Sequence, residues 1–168
     1  MTRIESASLP ADSLLAQHRG AECYRDAFRT EVPHPVSLTA FIAAFYSSPA
    51  FTPERMLLHL IGKGASRADI AALAEGRSDR FAAWSVEARS ESAILLRDFQ
   101  NRTCSWLMAE PKGESTVLWF GSGVRHPEGL TFRVLVGFHG WYSRVLLAAA
   151  VRKARDWREG AQRGRRVR

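Results

Sequence analysis

The amino-acid sequence predicts an α+β fold, in which a curved antiparallel sheet of six to seven strands wraps around a long C-terminal helix. Two to three short helices are expected after the first strand. Two patterns predict this arrangement. Apolar residues recur with a period of two along residues 81–138, and with helical spacing in residues 37–74 and 141–159. Only a few turn residues separate the predicted strands, which is typical of antiparallel neighbours.

The size and composition of the chain are those of one globular domain. It has 168 residues, of which 46% are hydrophobic and 24% charged. We expect an N-terminal arm at residues 1–20, a single domain at 21–159 and a basic flexible tail at 160–168. No apolar run is long enough to cross a membrane, and no apolar segment typical of a secretory signal follows Met1. A cytoplasmic protein is therefore expected.

The first strand is predicted at residues 22–32, where Tyr24 and Phe28 share one face. It ends at residues 33–35, because the two prolines there donate no hydrogen bond to a strand ladder. The arm before this strand is polar and has room for one short helical turn after Pro10.

Three helices are predicted after the first strand, each with its own start signal. Ser37 is a typical N-cap for residues 38–45, and Thr52 caps a second helix that ends before Gly62. Ser66, with Asp69 three residues later, caps a third helix at residues 68–74.

A meander of five strands is predicted next, at residues 81–89, 94–99, 103–110, 115–124 and 130–138. The third and fourth of these strands are apolar on both sides, so both faces of the sheet need cover. We expect a helix on one face and an oligomer partner on the other, so a homodimer is an expected assembly. Gly121 and Gly123 predict a bulge that bends the sheet.

The net charge of +7 is concentrated at the C-terminal end of the sequence. Residues 152–168 contain eight basic and two acidic residues, so they contribute +6 and the other 151 residues contribute +1. The basic character is therefore a property of the tail and does not indicate a charged binding face. The tail either solubilises the chain or makes weak, salt-sensitive contacts with nucleic acid or anionic lipid, and no stronger nucleic-acid binding is expected.

Metal ions and cofactors are not expected. The five histidines include no pair at helical i, i+4 spacing, and the two cysteines, Cys23 and Cys104, are too few for a zinc site or a disulfide scaffold. The two cysteines are either buried free thiols or partners in one disulfide, and the sequence leaves both alternatives open. A nucleophile formed by Cys104 or Ser105 with His139 is not favoured, because no nucleophile elbow is present.

Several short motifs give the chain a resemblance to the helix-grip fold of the START-like (SRPBCC) superfamily, which includes polyketide cyclases and lipid-transfer domains. More narrowly, the chain resembles an uncharacterised bacterial domain-of-unknown-function family with that fold. The resemblance covers about residues 20–158. The motifs are Tyr24-x-Asp26-Ala27-Phe28, Ser48-Pro49, Leu96-x-Asp98-Phe99, Ser105-Trp106-Leu107 and Phe138-His139-x-x-Tyr142-Ser143-Arg144.

The resemblance implies a cavity for a small hydrophobic or amphipathic ligand between the sheet and the C-terminal helix. It implies no catalytic residues, because that family has no established activity. Eight residues are candidates for lining the cavity: Trp84, Arg97, Asp98, Trp106, Phe120, Phe132, His139 and Tyr142. The alternative for the aromatic members is ordinary core packing.

The polar candidates also have structural alternatives. Arg97, Asp98 and Glu87 form either an inward-facing anchor for a ligand or a cross-strand ion pair in solvent. His139 serves either in proton transfer or as a hydrogen-bonding group at a helix start. Asp26 either caps a turn or pairs with Arg144.

Three functions remain open at this point. Binding of a small hydrophobic or amphipathic ligand without catalysis is the main expectation. The first alternative is a polyketide cyclase or dehydratase-like enzyme that uses Asp98, Arg97 or His139 in acid–base roles. The second is a structural or interaction protein that has no ligand.

Overall fold

The computed structural model of the chain describes residues 3–18, 23–51, 65–125 and 143–153. They form a seven-stranded antiparallel sheet with helices packed on it, which confirms the predicted α+β class. The strands are β1 (Glu5–Ser6), β2 (Cys23–Val32), β3 (Arg80–Phe81), β4 (Trp84–Arg89), β5 (Ala93–Asp98), β6 (Thr103–Lys112) and β7 (Ser115–Arg125). The helices are α1 (Leu14–Gln17), α2 (Leu38–Tyr46) and α3 (Arg67–Ala74), with a 3-10 turn at Pro49–Phe51.

Residues 143–153 are helical and are named the C-terminal segment below. The rest of the helix predicted at residues 141–159 lies outside the described residues, so its length stays a prediction. The predicted second helix, which Thr52 would cap, also lies outside them. Within the part of the chain that the structure describes, no helix is both long enough and apolar enough to cross a membrane.

The strands follow the order β1-β2-β7-β6-β5-β4-β3 across the sheet. Strand β7 therefore lies between β6 and β2, and β2 pairs with it from Cys23 opposite Arg125 to Val32 opposite Thr116. The fifth strand of the predicted meander, residues 130–138, is outside the described residues. The edge of β7 where a meander would place that strand is occupied by β2.

The predicted helix starts at Ser37 and Ser66 are confirmed, whereas the one at Thr52 lies outside the described residues. The Ser37 hydroxyl accepts a hydrogen bond from the Ala40 amide at 3.2 Å, and Ser66 and Asp69 form a reciprocal capping box at the start of α3. Both caps satisfy amide groups that the first turn of a helix leaves without backbone partners.

Two strand boundaries differ from the prediction. Pro111 and Lys112, expected in a turn, belong to β6, because a tight turn at residues 113–114 with Gly113 at φ +58° lets both strands extend. The strand expected at residues 81–89 is interrupted by Ala82, whose φ of 53° is incompatible with an extended strand.

The sheet has two apolar faces, as the sequence predicts. The inner face is defined here as the one that carries Phe28, Leu107 and Phe120, and α2, α3 and the C-terminal segment pack against it. The rings of Phe45 in α2 and Phe120 lie 4.9 Å apart, and Leu147 of the C-terminal segment is fully buried in the same cluster. Helices thus cover one face of the sheet.

The outer face carries Ala27, Trp106 and Trp119, and the N-terminal arm covers it. Leu15 of α1 is fully buried against these residues, and Leu9 packs against the same cluster. The expectation that an oligomer partner covers this cluster is therefore wrong, because the arm of the same chain buries it. Whether the protein forms a homodimer stays a separate prediction.

The glycines of β7 make room for the arm and do not form a bulge. Gly121 pairs in continuous register with Ala27 on one side and Trp106 on the other. A Cβ atom at residue 121 would lie 2.8 Å from Leu15 Cδ2 and 2.9 Å from Trp106 Cε3. The predicted bulge at this position is therefore wrong, because the missing side chains serve close packing. The register of the sheet shifts elsewhere, at Glu87 in β4.

Candidate functional site

The five described cavity candidates are divided between the two faces of the sheet. Phe120 is buried in the inner cluster, and Trp84 packs against it. Asp98 shares their face, because it alternates along β5 with the inner residues Ile94 and Leu96. These three candidates can therefore face one site.

The other two described candidates lie on the outer face. Trp106 is fully buried in the outer cluster, and Arg97 alternates with Leu95 of that cluster and is exposed. A cavity on the inner face would include neither of them. The remaining candidates, Phe132, His139 and Tyr142, lie outside the described residues.

The polar candidates serve structural roles in the described part of the chain. Asp98 accepts hydrogen bonds from the Arg102 amide at 2.8 Å and the Thr103 hydroxyl at 3.0 Å, so its carboxylate holds the turn between β5 and β6. Glu87 contacts the arm, since its carboxylate lies 2.8 Å from Nδ1 of His18. Both carboxylates that were candidates for anchoring a ligand therefore already bind other residues of the chain.

A different polar group lies on the inner face, where β2 and β7 pair. Asp26 stands directly opposite Ser122, whose hydroxyl donates to Asp26 Oδ1 at 2.5 Å. The Ser122 amide donates to the same oxygen at 3.3 Å. Ser105 of β6 is the neighbour of Ser122 on its other side and is buried. Three polar residues thus form a row across three adjacent strands.

The second carboxylate oxygen of Asp26 is not used in this row. Asp26 Oδ2 is buried and accepts no hydrogen bond from the described residues. A buried polar atom without a partner costs on the order of 1–3 kcal/mol, and more when the group carries a charge. This oxygen is therefore a position where a donor from outside the described residues would be stabilising.

Tyr24 borders the row on the same face, two residues before Asp26. Burial raises the pKa of its hydroxyl, and the negative charge of Asp26 raises it further. Tyr24 therefore stays protonated across the neutral range. Tyr24, Asp26, Ser105 and Ser122 are named the polar end of the inner face below.

An apolar surface adjoins the polar end directly. The next pair on the inner face of β2 and β7 is Phe28 opposite Phe120, and Leu107 follows on β6. The guanidinium carbon of Arg144 lies 5.5 Å from the centre of the Phe28 ring, which places the start of the C-terminal segment near this end of the sheet. Ser143, the preceding residue, is fully buried, and its hydroxyl has no hydrogen-bond partner among the described residues.

The expectations for Asp26 are thereby corrected. It neither caps a turn nor shares an ion pair with Arg144 within the described residues, because Ser122 binds its carboxylate and Arg144 lies over Phe28. Sequence reasoning missed Ser122 as a member of the site. No local signal could have found it, because Ser122 and Asp26 are 96 residues apart in the sequence.

A cleft of about 300 Å³ lies on the other side of the sheet, beside the arm. Its charged residues pair with one another: Lys112 lies 2.8 Å from Glu31, and Arg29 lies 3.7 Å from Glu5. Hydrogen bonds from Lys112 and Ser115 lower the pKa of the Glu31 carboxyl. Each of its two carboxylates is engaged by basic side chains of the cleft itself, so the cleft is a weaker candidate for a ligand than the polar end.

The described residues contain no group of three or more histidine, cysteine, aspartate or glutamate side chains that could hold a metal ion. Cys104 is buried in the outer cluster, and the side chain of Cys23 is not described.

Comparison with known proteins identifies no family for this chain. No protein-family profile matches it. No curated protein matches it either. Among solved structures, it is similar to the crystal structure of CalU16 from Micromonospora echinospora, with 8% identity and a TM-score of 0.35. That similarity covers 95% of this chain and 96% of the other, and at this TM-score it carries no inference.

Proposed function

We propose that the protein binds a small amphipathic ligand at the polar end of the inner face, without catalysis. The apolar body of the ligand lies toward Phe28 and Phe120, and its head group lies against Asp26. We also propose that the chain has the helix-grip architecture implied by its sequence motifs, with the C-terminal segment closing the site.

One observation carries this proposal: a short row of polar side chains stands beside an apolar, aromatic surface on one face of the sheet. Asp26, Ser122 and Ser105 are in register across three strands, and Phe28 and Phe120 form the adjacent pair. Ligand pockets in proteins have this composition, with a mainly apolar lining and a few convergent polar groups that orient the ligand.

The enzyme alternative has less support. A cyclase or dehydratase-like reaction would use Asp98, Arg97 or His139 as acid or base. The Asp98 carboxylate already accepts two hydrogen bonds in its turn, and Arg97 is exposed on the opposite face. Asp98 and Arg97 therefore lie on opposite faces of the sheet and do not meet in one site, which favours binding over catalysis.

Native mass spectrometry of the purified full chain tests the proposal. We expect a bound small molecule that is released on denaturation. In Ser105→Leu, a leucine side chain fills part of the polar end, so the adduct should be lost. Phe99→Ala is the matched control, because Phe99 is 58% exposed and lies in a surface turn. The proposal is contradicted if wild-type protein carries no adduct and binds none of the octyl compounds described below.

A further inference from the structure

We infer that the head group of the ligand is a hydrogen-bond donor, an ammonium or a hydroxyl, which Asp26 binds, and that carboxylate or phosphate head groups are excluded. This inference rests on the proposed function, because it concerns the chemistry selected by the same site.

The first step concerns the two oxygens of the Asp26 carboxylate. Ser122 donates to Oδ1 twice, through its hydroxyl at 2.5 Å and its amide at 3.3 Å. Oδ2 is buried and accepts no hydrogen bond from the described residues. The serine therefore fixes the orientation of the carboxylate and leaves one oxygen to accept from a ligand, and a charged donor would bind it most strongly.

The second step concerns the positive charges nearby. Arg144 stacks on Phe28, and Arg25 lies on the opposite face of β2, where its guanidinium donates to the carbonyl of His18. Within the described ranges, no ion pair includes Asp26. The Asp26 carboxylate would therefore repel an anionic head group. A cationic head group would instead neutralise the charge of this carboxylate.

The third step concerns a second buried polar group without a partner in the described part of the chain, on the C-terminal segment. Ser143 is fully buried, and its hydroxyl has no hydrogen-bond partner among the described residues. It belongs to the C-terminal segment, whose start lies near Phe28 through the Arg144 contact. Asp26 on β2 and Ser143 on the C-terminal segment thus each have a buried polar atom that has no partner among the described residues.

The experiment is calorimetric titration of the full chain near neutral pH with four probes that share one apolar body: octylamine, octan-1-ol, methyl octanoate and octanoate. Only the first two have donor head groups. We expect both to bind at least about tenfold more tightly than methyl octanoate, and octanoate to bind most weakly. Preference for octylamine over octan-1-ol would identify an ammonium ligand, and the reverse would identify a hydroxyl ligand.

The variant Asp26→Asn removes the negative charge and keeps an oxygen that can accept from Ser122. We expect octylamine affinity to fall by about tenfold or more, because the asparagine amide nitrogen replaces the accepting oxygen and repels an ammonium donor. Octan-1-ol affinity should fall less, by under about threefold, because its hydroxyl can instead accept from that nitrogen. Glu31→Gln is the matched control, since Glu31 is a carboxylate on the same strand that faces the cleft on the other side. It should leave all four affinities unchanged.

The outcomes separate this inference from the proposed function. If the four probes bind wild-type protein equally, or octanoate binds best, the site exists and the donor inference is wrong. If no probe binds and the wild-type protein carries no adduct in native mass spectrometry, both the site and the inference are overturned. If an adduct without a donor head group is released, the site exists and the donor inference is wrong. The ranking of probes on wild-type protein remains decisive even if Asp26→Asn fails to fold.

Discussion

Leu15 occupies the space that a side chain at residue 121 would need. The position of a Cβ atom on Gly121 lies only 2.8 Å from Leu15 Cδ2 and 2.9 Å from the carbonyl oxygen of Asp26. The first contact joins the N-terminal arm to the sheet, and the second involves backbone that cannot rotate away. Gly121 is therefore a packing requirement of the outer face.

Replacement of Gly121 by alanine should destabilise the protein. We expect Gly121→Ala to lower the free energy of unfolding by about 1–3 kcal/mol, the usual cost of adding a methyl group to a filled core. Urea unfolding followed by tryptophan fluorescence measures this change. An alanine variant as stable as the wild type would show that the arm does not pack as described.

The arm itself should contribute to stability through one side chain. Leu15→Ala should cost about 2–5 kcal/mol, because Leu15 is fully buried and truncation leaves a cavity against Trp106. Leu14→Ala is the matched control: it makes the same chemical change in the same helix, but at a half-buried position, so its cost should be clearly smaller. Equal effects of the two variants in chemical unfolding would count against burial of the outer face by α1.

The capping box of α3 predicts a stability difference that depends on pH. Hydrogen bonds from the Ser66 amide and hydroxyl lower the pKa of the Asp69 carboxyl below its ordinary value of 3.8. The folded state therefore binds this proton less readily than the unfolded state. The stabilising effect of ionised Asp69 is fully present above the ordinary pKa of 3.8 and is lost as the pH falls through the lowered pKa.

Urea unfolding of wild type and Asp69→Asn from about pH 7 to about pH 2.5 measures this effect. The wild type should be the more stable protein at neutral pH, and the two curves should converge at the acidic end. A stability gap that stays constant across the whole range would mean that ionised Asp69 does not stabilise the helix start.

Arg89 should stabilise the other end of α3. Its two terminal nitrogens donate to the carbonyl oxygens of Leu73 and Ala74 at 2.8 Å and 2.7 Å, and these carbonyls belong to the last turn of the helix. Arg89→Ala should cost about 1–2 kcal/mol, from the lost hydrogen bonds and the lost charge at the negative end of the helix dipole.

Arg89→Lys separates these two effects. A lysine ammonium keeps the charge but not the planar fork that reaches two carbonyls, so it should recover less than half of the loss. Arg67→Ala, at the start of α3, is the control and should change stability by no more than about 0.5 kcal/mol. If Arg89→Lys is fully stable, the paired hydrogen bonds contribute little.

Deletion of residues 160–168 should change polyanion binding and leave the ligand site intact. The deletion removes four arginines and lowers the formal net charge from +7 to +3. We expect earlier elution from a heparin column in a salt gradient, with the binding of octyl probes unchanged. Unchanged heparin elution would show that the tail does not carry the affinity for polyanions.

Features that depend on neighbouring residues could be predicted from the sequence. The start of α3 follows from Ser66 and Asp69, and the two apolar faces follow from the alternation in β6 and β7. The placement of Trp106 and Phe120 on opposite faces of the sheet could also be predicted from the sequence. Any tight hairpin between β6 and β7 that pairs Trp106 with an odd-numbered residue places Phe120 on the other face.

The candidate site was not predictable in the same way. It depends on the register of β2 against β7, which sets Asp26 opposite Ser122 although nothing local in either strand selects the partner. The burial of the outer face by the arm was missed for a similar reason. The arm is polar on average, and only the fit of Leu15 beside Gly121 shows that it packs.

The position of β2 beside β7 has a consequence for the order of folding. Strands β4 to β7 form successive hairpins from residues close in sequence, so they can assemble early. Strand β2 is synthesised before all of them, but it must wait for a partner that lies 96 residues downstream at Asp26 and Ser122. During translation its apolar side chains are exposed until β7 has left the ribosome, and we expect this interval to be when the nascent chain aggregates most readily.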